Sequence, residues 1–483
     1  MIPLTLAEIA EATGGRLHRA SGSEPVTGTV EFDSRRVGPG GLFVAMPGER
    51  VDGHDFAATA MAAGAVGVLA AREVDAPAVV VPPVTDAHVR SVALTGDSDG
   101  SGAAVLAGLA ALARAVVDRL VPHGLTVVGV TGSSGKTSTK DLIAQVLEPM
   151  GPTVAPPGSF NNELGHPWTV LRADAETRHL VLELSARGPG HIAALCRTAP
   201  PRIGVVLNVG TAHLGEFGSQ ADIARTKGEL AEAATDVAIL NADDPLVRAM
   251  AERTKARVVL VGESADAEVR AVDVELDDHA RATFTLVTPQ GRRQVRLGLY
   301  GGHHVGNALA AAAVGLELGA GLDAVADRLE GAQRLSARRM EVSTRADEVT
   351  VVNDSYNANP ESVGAALRTL ARMADGGTRR TWAVLGVMGE LGDSGAEAHE
   401  QIGRLAMRLN IDRLVAVDEQ AGGISHGARL EGPNGEEPVL VPDVEAAIAL
   451  LNAELRPGDV VLVKASKVAA LWRVADALLG AGA

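Results

Sequence analysis

The run Thr126-Val-Val-Gly-Val-Thr-Gly-Ser-Ser-Gly-Lys-Thr-Ser-Thr139 constrains this chain more than any other segment. Its first six residues, Thr126–Thr131, read as a buried strand; Gly132-Ser-Ser-Gly-Lys-Thr137 reads as a tight loop, and a helix follows. Glycines let such a loop turn its N–H groups inward around phosphate oxygens, and the helix N-terminus adds partial positive charge. Lys136 is placed to reach the β- and γ-phosphates of ATP, with the Thr137 hydroxyl on magnesium. The general pattern asks for a glycine five residues before Gly135; that position is Val130, and Thr131-Gly132 makes the turn instead. A purely structural glycine turn is the bland alternative. The strand–loop–helix context and the Gly-Lys-Thr ending weigh against it.

A loop of this kind belongs to α/β architecture, and the rest of the chain fits. His179–Ser185, Arg202–Asn208, Asp236–Leu240 and Arg257–Val261 are short apolar runs of the buried parallel-strand type, separated by helical stretches. A doubly wound parallel sheet follows from that alternation. Residues 267–296 alternate polar and apolar positions and predict a small antiparallel addition, and Ala-rich helical runs cover 304–330. From 334 the alternation restarts, with strands expected at Val349–Asn353, Thr381–Leu385, Arg413–Val417 and Val460–Lys464. The first part of the chain mixes short apolar runs with Gly/Pro-rich turns and ends in a linker-like stretch, Thr95–Gly102, before the helical pattern Ala103–Leu120. Three α/β domains are therefore expected, at 1–97, 98–333 and 334–483, each able to bury a core; a length of 483 residues agrees at roughly 100–200 residues per domain.

Composition narrows the function classes. A net charge of −16, a pI near 5.3 and only 2% aromatic residues argue against a nucleic-acid partner, whose footprint is basic and often aromatic. The single cysteine, Cys196, excludes an internal disulfide and suits a reducing compartment. No apolar run reaches the length of about 18 residues that spans a membrane, and Met1-Ile-Pro-Leu-Thr-Leu-Ala-Glu8 lacks a basic region before an apolar one. The expectation is a cytoplasmic protein, and a monomer.

Two polar residues interrupt apolar surroundings at predicted strand ends. Leu182-Glu183-Leu184-Ser185 sets a lone carboxylate in a strand, and Asn208-Val-Gly-Thr-Ala-His213 sets a histidine just past another. Ligands of open α/β sheets bind beyond the carboxyl ends of strands, so Glu183 and His213 are expected to converge on the phosphate loop. Singly, each also fits a bland role, as a paired core acid and a satisfied loop histidine.

With these residues in view, the sequence resembles the Mur ligases, ATP-dependent amide-forming enzymes of cell-wall precursor synthesis. The likeness covers almost the whole chain. Thr131-Gly-Ser-Ser-Gly-Lys-Thr-Ser-Thr-Lys140 resembles their ATP loop, and Gly158-Ser-Phe-Asn-Asn-Glu-Leu-Gly-His-Pro167, Asn208–His213, Ala224-Arg-Thr-Lys-Gly-Glu229 and Asn241-Ala-Asp-Asp244 follow in family order. Three further blocks are similar to the branch that adds D-alanyl-D-alanine to UDP-N-acetylmuramoyl-tripeptide: Asp33-Ser-Arg-Arg-Val37 with Gly41–Ala45 and Asp52–Phe56; Asn353-Asp-Ser-Tyr-Asn-Ala-Asn-Pro-Glu-Ser362; and Leu385–Gly392 with His399. The Asp-Asn-Pro-Arg motif of the sister tripeptide-forming ligase is missing. His304, Ala465 and the segment Ser336-Ala-Arg-Arg-Met340 depart from the usual pattern.

The resemblance implies an acyl-phosphate mechanism and assigns roles. Thr131, Gly132, Ser133, Ser134, Gly135, Lys136, Thr137 and Ser138 would hold ATP. Thr137 and Glu183 would bind one magnesium ion, and His213 with Lys227 a second, Lys227 as a carbamate; Lys136, Lys227 and His213 would carry catalysis. The other reading of Lys227 is an exposed helix lysine. His303 and Asn307 resemble the adenine pair, although a histidine on an Ala-rich helix also serves packing. Asp354 resembles a ribose contact and Arg339 a phosphate contact. Asn161 and Asn162 would touch the muramoyl peptide and Ser34 the uridine nucleotide. Asn357 and Asn359, beside Pro360, fit substrate contact or turn and cap duty equally. A folylpolyglutamate synthase would share the loop but lack the first domain's blocks. A motor, transporter ATPase or GTP switch would usually show an aspartate where Glu183 stands. A non-catalytic nucleotide-binding scaffold would not need Glu183, His213 and Lys227 together.

Overall fold

The computed structural model describes residues 1–48, 51–84, 94, 97, 99–211, 214–432 and 436–480. Among these, three sheets carry the architecture. The first has the strand order Arg16–His18, Ala78–Val80, Ala65–Ala70, Gly41–Val44, Val30–Glu31, with a separate two-stranded pair, Leu4–Thr5 and Pro25–Val26. The second has nine strands. From one edge they are Gly291–Tyr300, Arg281–Thr288, Val269–Leu276, Arg257–Gly262, Val237–Asn241, Ile203–Val206, Thr126–Thr131, His179–Glu183 and Thr153–Val154. The third has the order Glu341–Thr344, Thr350–Asn353, Val460–Lys464, Thr381–Leu385, Arg413–Val417, Val439–Val441.

The expected parallel strands form, shifted by a residue or two at their ends. Thr126–Thr131 pairs in parallel with both His179–Glu183 and Ile203–Val206, and its valines are buried on both faces, as a sheet covered on two sides requires. The segment predicted to be antiparallel becomes three strands, the first parallel to Arg257–Gly262 and the other two antiparallel. Helix His304–Glu317 contributes an unbroken buried run, Ala308–Val314, against the phosphate-loop helix Lys136–Leu147. Small side chains permit that approach: a Cβ on Gly315 would lie 2.6 Å from Val146 Cγ1.

Each segment buries an apolar cluster of its own: Val37, Phe43 and Val68 in the first, Val128, Val205 and Phe284 in the nine-stranded unit, and Trp382, Val415 and Val461 in the last; one further cluster crosses a boundary. Helix Ser101–Leu120 buries residues on more than one face, and Leu109, Leu112 and Val116 belong to one apolar cluster with Leu6 and Ile9 of the first segment and Leu180 and Leu182 of the nine-stranded sheet. The first sheet and the nine-stranded sheet are thus joined through this helix, each buried leucine contributing about 2 kcal/mol. Of the predicted linker, Thr95, Gly96 and Ser98 lie outside the described residues.

Candidate active site

The chain leaves Thr126–Thr131, builds Thr153–Val154 and His179–Glu183 on one side, then crosses to Ile203–Val206 on the other. The strand order reverses at Thr126–Thr131, and the loops beyond its carboxyl end open into a crevice. The phosphate loop fills this position. Gly135 adopts φ 79° immediately before helix Lys136–Leu147, and no side chain caps that helix start, so its first amides face the crevice. Asn208, from the loop after Ile203–Val206, braces the phosphate loop: its Oδ1 accepts from Ser134 N–H at 2.9 Å and its backbone oxygen from Ser133 N–H at 3.1 Å. Lys136 is half-buried and donates from Nζ to Gly132 O at 2.7 Å. Removal from water lowers its pKa, opposed by the Glu183 carboxylate and reinforced by the Arg339 guanidinium.

Glu183 ends its strand opposite Val130 and is 1% exposed. Its Oε2 accepts from Thr137 Oγ1 at 3.0 Å, and its Oε1 from Ser159 Oγ at 2.8 Å and Asn161 Nδ2 at 2.6 Å. Asn162 Oδ1 instead caps Gly165 N–H at 2.9 Å. Among the described residues no three His, Cys, Asp or Glu side chains gather into a metal cage. A carboxylate beside a threonine hydroxyl at a phosphate loop nevertheless suits magnesium, which takes one or two carboxylates together with substrate phosphates and water. The partners of Glu183 are hydroxyl and amide groups of residues that line the crevice.

Lys227 lies on helix Gln220–Ala233 and is 5% exposed, so it is not a surface lysine. Its pKa falls well below the usual lysine range, first through burial and then through repulsion from Lys136, with Glu361 opposing. His213 lies outside the described residues. The last sheet supplies the opposite wall. Arg339 donates from Nη2 to Thr137 Oγ1 at 3.2 Å and stacks over the Tyr356 ring at 4.2 Å, its Nε buried without a partner among the described residues. Asn359 takes the cap duty at helix Pro360–Arg372 and also donates from Nδ2 to Ser133 O at 3.2 Å. Asn357 O accepts from Lys464 Nζ at 2.9 Å.

These walls enclose a cavity of about 490 Å³ lined by Ser133–Ser138, Asn161, Asn162, Glu183, Arg339, Asn357 and Asn359. Ser159, Arg187, His191, Glu390 and Lys467 also line it, and none was singled out from sequence. Ser159 carried a signal, lying inside the Gly158–Pro167 block. Arg187 and Glu390 are charged loop residues that reveal themselves only by meeting across the crevice, Nη2 to Oε1 at 2.6 Å.

Thr131, Gly132, Lys227, His303, Asn307, Asp354 and Ser34 are not in that lining. A second cavity of about 500 Å³ adjoins the helix side of the loop, lined by Ser138, His304 and Arg339 among others. Asn307 Oδ1 accepts from Thr139 Oγ1 at 3.1 Å, and its Nδ2 lies 3.4 Å from His304 Nδ1, while His303 stacks on His304 at 4.3 Å. Burial holds His303 down to about 4, with Asp354 opposing and Lys464 assisting. The Asp354 carboxylate is engaged within the last unit, accepting from Lys464 Nζ at 2.6 Å and Met340 N–H at 3.1 Å. Ser34 is buried in the first unit, two residues from Phe32, whose ring lies 6.4 Å from that of Phe160.

Comparison with known proteins agrees in order along the chain. Residues 28–111 match the Mur ligase family catalytic domain, 130–315 the Mur ligase middle domain, and 338–467 the Mur ligase glutamate ligase domain. The UDP-N-acetylmuramoyl-tripeptide–D-alanyl-D-alanine ligase of Mycobacterium tuberculosis is 57% identical over 500 residues, covering 99% of this chain and 98% of its own. That of Escherichia coli is 34% identical over 99% of both. Among solved structures, MurF from Acinetobacter baumannii superposes with a TM-score of 0.84 at 30% identity over 99% of each chain. MurF from Thermotoga maritima in complex with ADP gives 0.76 at 29% identity, over 94% of this chain and 98% of its own.

Proposed function

The chain belongs to the Mur ligase family, and on that premise we propose that it joins D-alanyl-D-alanine to the terminal carboxylate of UDP-N-acetylmuramoyl-tripeptide, converting ATP to ADP and phosphate. The observation that carries this reading is the crevice in which Lys136, Thr137 and Glu183 face Arg339 and Asn359 of the last unit. The work of such an enzyme belongs to peptidoglycan precursor synthesis, in the cytoplasm, and through it to cell shape and division. The chain acts as a monomer.

A carboxylate is a poor electrophile. Its oxygen attacks the γ-phosphorus of ATP, the bond to the bridging oxygen breaks, and ADP leaves an acyl phosphate. The neutral amine of the dipeptide attacks the acyl carbon, phosphate departs with the bonding pair, and the new amide nitrogen loses a proton. Such a transfer needs positioning and stabilisation of charge on the phosphate oxygens. Lys136 Nζ exchanges its bond to Gly132 O for phosphate oxygens, joined by the amides of Gly132–Ser138 and by Arg339. The second cavity takes the adenine, near His303, His304 and Asn307, with Asp354 toward the ribose. Asn161, Asn162 and Ser34 serve the UDP-peptide; Asn357 and Asn359 serve the reacting groups. Closure of the last unit excludes water from the acyl phosphate.

Thr137 and Glu183 would hold one magnesium ion, and His213 with a carbamate on Lys227 a second; bound there, magnesium neutralises charge on the phosphate oxygens. The buried, pKa-lowered Lys227 supports the carbamate, since only a neutral amine adds to carbon dioxide. Phosphate release should require the UDP-tripeptide and D-alanyl-D-alanine together. Lys227→Ala should abolish it, with partial recovery in acetate or formate and none in methylamine. Phosphate release independent of the dipeptide, or rescue by methylamine alone, would overturn the corresponding assignment.

A further inference from the structure

Glu361 had no role in the reading of the sequence, and it sits at the second position of helix Pro360–Arg372, two residues after Asn359. From there it crosses to the loop after strand Ile203–Val206. Its Oε1 accepts from both the backbone N–H of Thr211 and Thr211 Oγ1, the latter at 2.8 Å. Its Oε2 is buried with no partner among the described residues. The approach depends on Gly210, since a Cβ there would fall on the Glu361 carboxyl.

Three consecutive amides of that loop are each held by a different element. Val209 N–H donates to Asp244 Oδ2 at 2.7 Å, Gly210 N–H to Ser133 Oγ at 2.8 Å, and Thr211 N–H to Glu361. The first two anchors lie on the nine-stranded unit; the third comes from the last one. Gly210 and Asn208 in turn grip Ser133 and Ser134 of the phosphate loop, whose Ser133 O also accepts from Asn359. The start of helix Pro360–Arg372 therefore reaches the phosphate loop twice, directly through Asn359 and indirectly through Glu361 and Thr211.

We propose that Glu361 is a positioning residue for the phosphate loop: by seating on Thr211 over Gly210, it completes the brace on Ser133 and Ser134 only when the last unit is docked. This rests on the ligase reading given above for the chemistry it serves, but the contact itself is independent of it. The carboxylate fixes Thr211 by two hydrogen bonds; without it, the part-buried Thr211 N–H turns to water, and the loop loses its hold from the last unit.

The experiment compares wild type with Glu361→Ala, Glu361→Gln and Gly210→Ala. Each is followed by hydrogen exchange at Thr211, by thermal melting, and by phosphate release with the UDP-tripeptide and D-alanyl-D-alanine. In Glu361→Ala, exchange at Thr211 should quicken and kcat should fall about tenfold, the factor expected for one charge-assisted hydrogen bond, with the melting temperature nearly unchanged. Gln keeps an acceptor oxygen and should recover most of kcat; Gly210→Ala should reproduce Glu361→Ala, and combining the two should add little. Unchanged exchange at Thr211 in Glu361→Ala overturns the proposal, as does an equal loss of melting temperature in Ala and Gln without a split in kcat. If wild type releases no phosphate with these substrates, the ligase reading fails, and exchange at Thr211 in the free protein still decides the brace.

Discussion

Two helices in this molecule start at the carboxyl end of a buried parallel strand, and they start in opposite ways. Helix Lys136–Leu147 follows Gly135 in the left-handed region with no side-chain cap. Helix Pro360–Arg372 follows Asn359, whose side chain accepts from Ser362 N–H while Ser362 Oγ accepts from Asn359 N–H, with Pro360 at the first helical position. The first start leaves its amides open to an anion; the second satisfies its own and turns its spare side-chain groups, Asn359 Nδ2 and the Glu361 carboxylate, outward as a clamp on the first. Two similar sheets thus divide the labour: one keeps the binding groups unsatisfied, and the other holds them in place.

The largest effect should come from the open start. Lys136→Ala removes the one cation of the loop and should lower kcat by about 10³-fold or more, with the melting temperature held, since the side chain is not core. Near-normal phosphate release would erase the distinction between the two starts.

A third polar group is neither open to a ligand nor satisfied, and it sharpens the contrast. Both ring nitrogens of His166 are buried without a partner among the described residues, and burial holds its pKa down to about 3. The unfolded chain takes up the proton near pH 6.5, the folded chain only near 3, so stability is full above pH 6.5 and is lost as pH falls between those values. The loss approaches about 1.4 kcal/mol per pH unit for this residue. Urea midpoints from pH 7 to 5 should fall less steeply in His166→Leu; an identical slope would show that the folded ring takes up its proton as easily as the unfolded one.

The smallest effect belongs to the closed start. Asn359→Ala should cost about 1 kcal/mol through the lost cap. Asn359→Asp keeps the cap oxygen, loses the donor to Ser133 and brings a negative charge toward bound nucleotide, so it should keep the stability and raise the KM for ATP. Equal stability loss in both variants would mean that the cap contributes less than the contact across the crevice.

Much of this was legible because a phosphate loop writes its requirements into consecutive residues. Gly132–Thr137 needs turning glycines, a lysine and a hydroxyl side by side, and the parallel strands around it are apolar runs that periodicity detects. Glu183 was legible for a related reason, as a charge where burial disfavours one. Short strands such as Glu341–Thr344 and Val439–Val441 gave no pattern, being three or four residues long and only partly buried. Glu361 and Arg187 escaped notice because their partners lie 150 and 203 positions away.

The two margins of the nine-stranded sheet have a consequence for how the chain behaves in company. At one side the sheet stops after only two residues, Thr153–Val154; at the other it ends in Gly291–Tyr300, which carries Arg292, Arg293 and Arg296. Arg293 and Arg296 are tied into ion pairs with Asp327 and Asp277. A short margin offers few free backbone groups, and a charged one resists a neighbour's strand. In the folded state, a large sheet with such margins gives a second molecule's strand little to pair with.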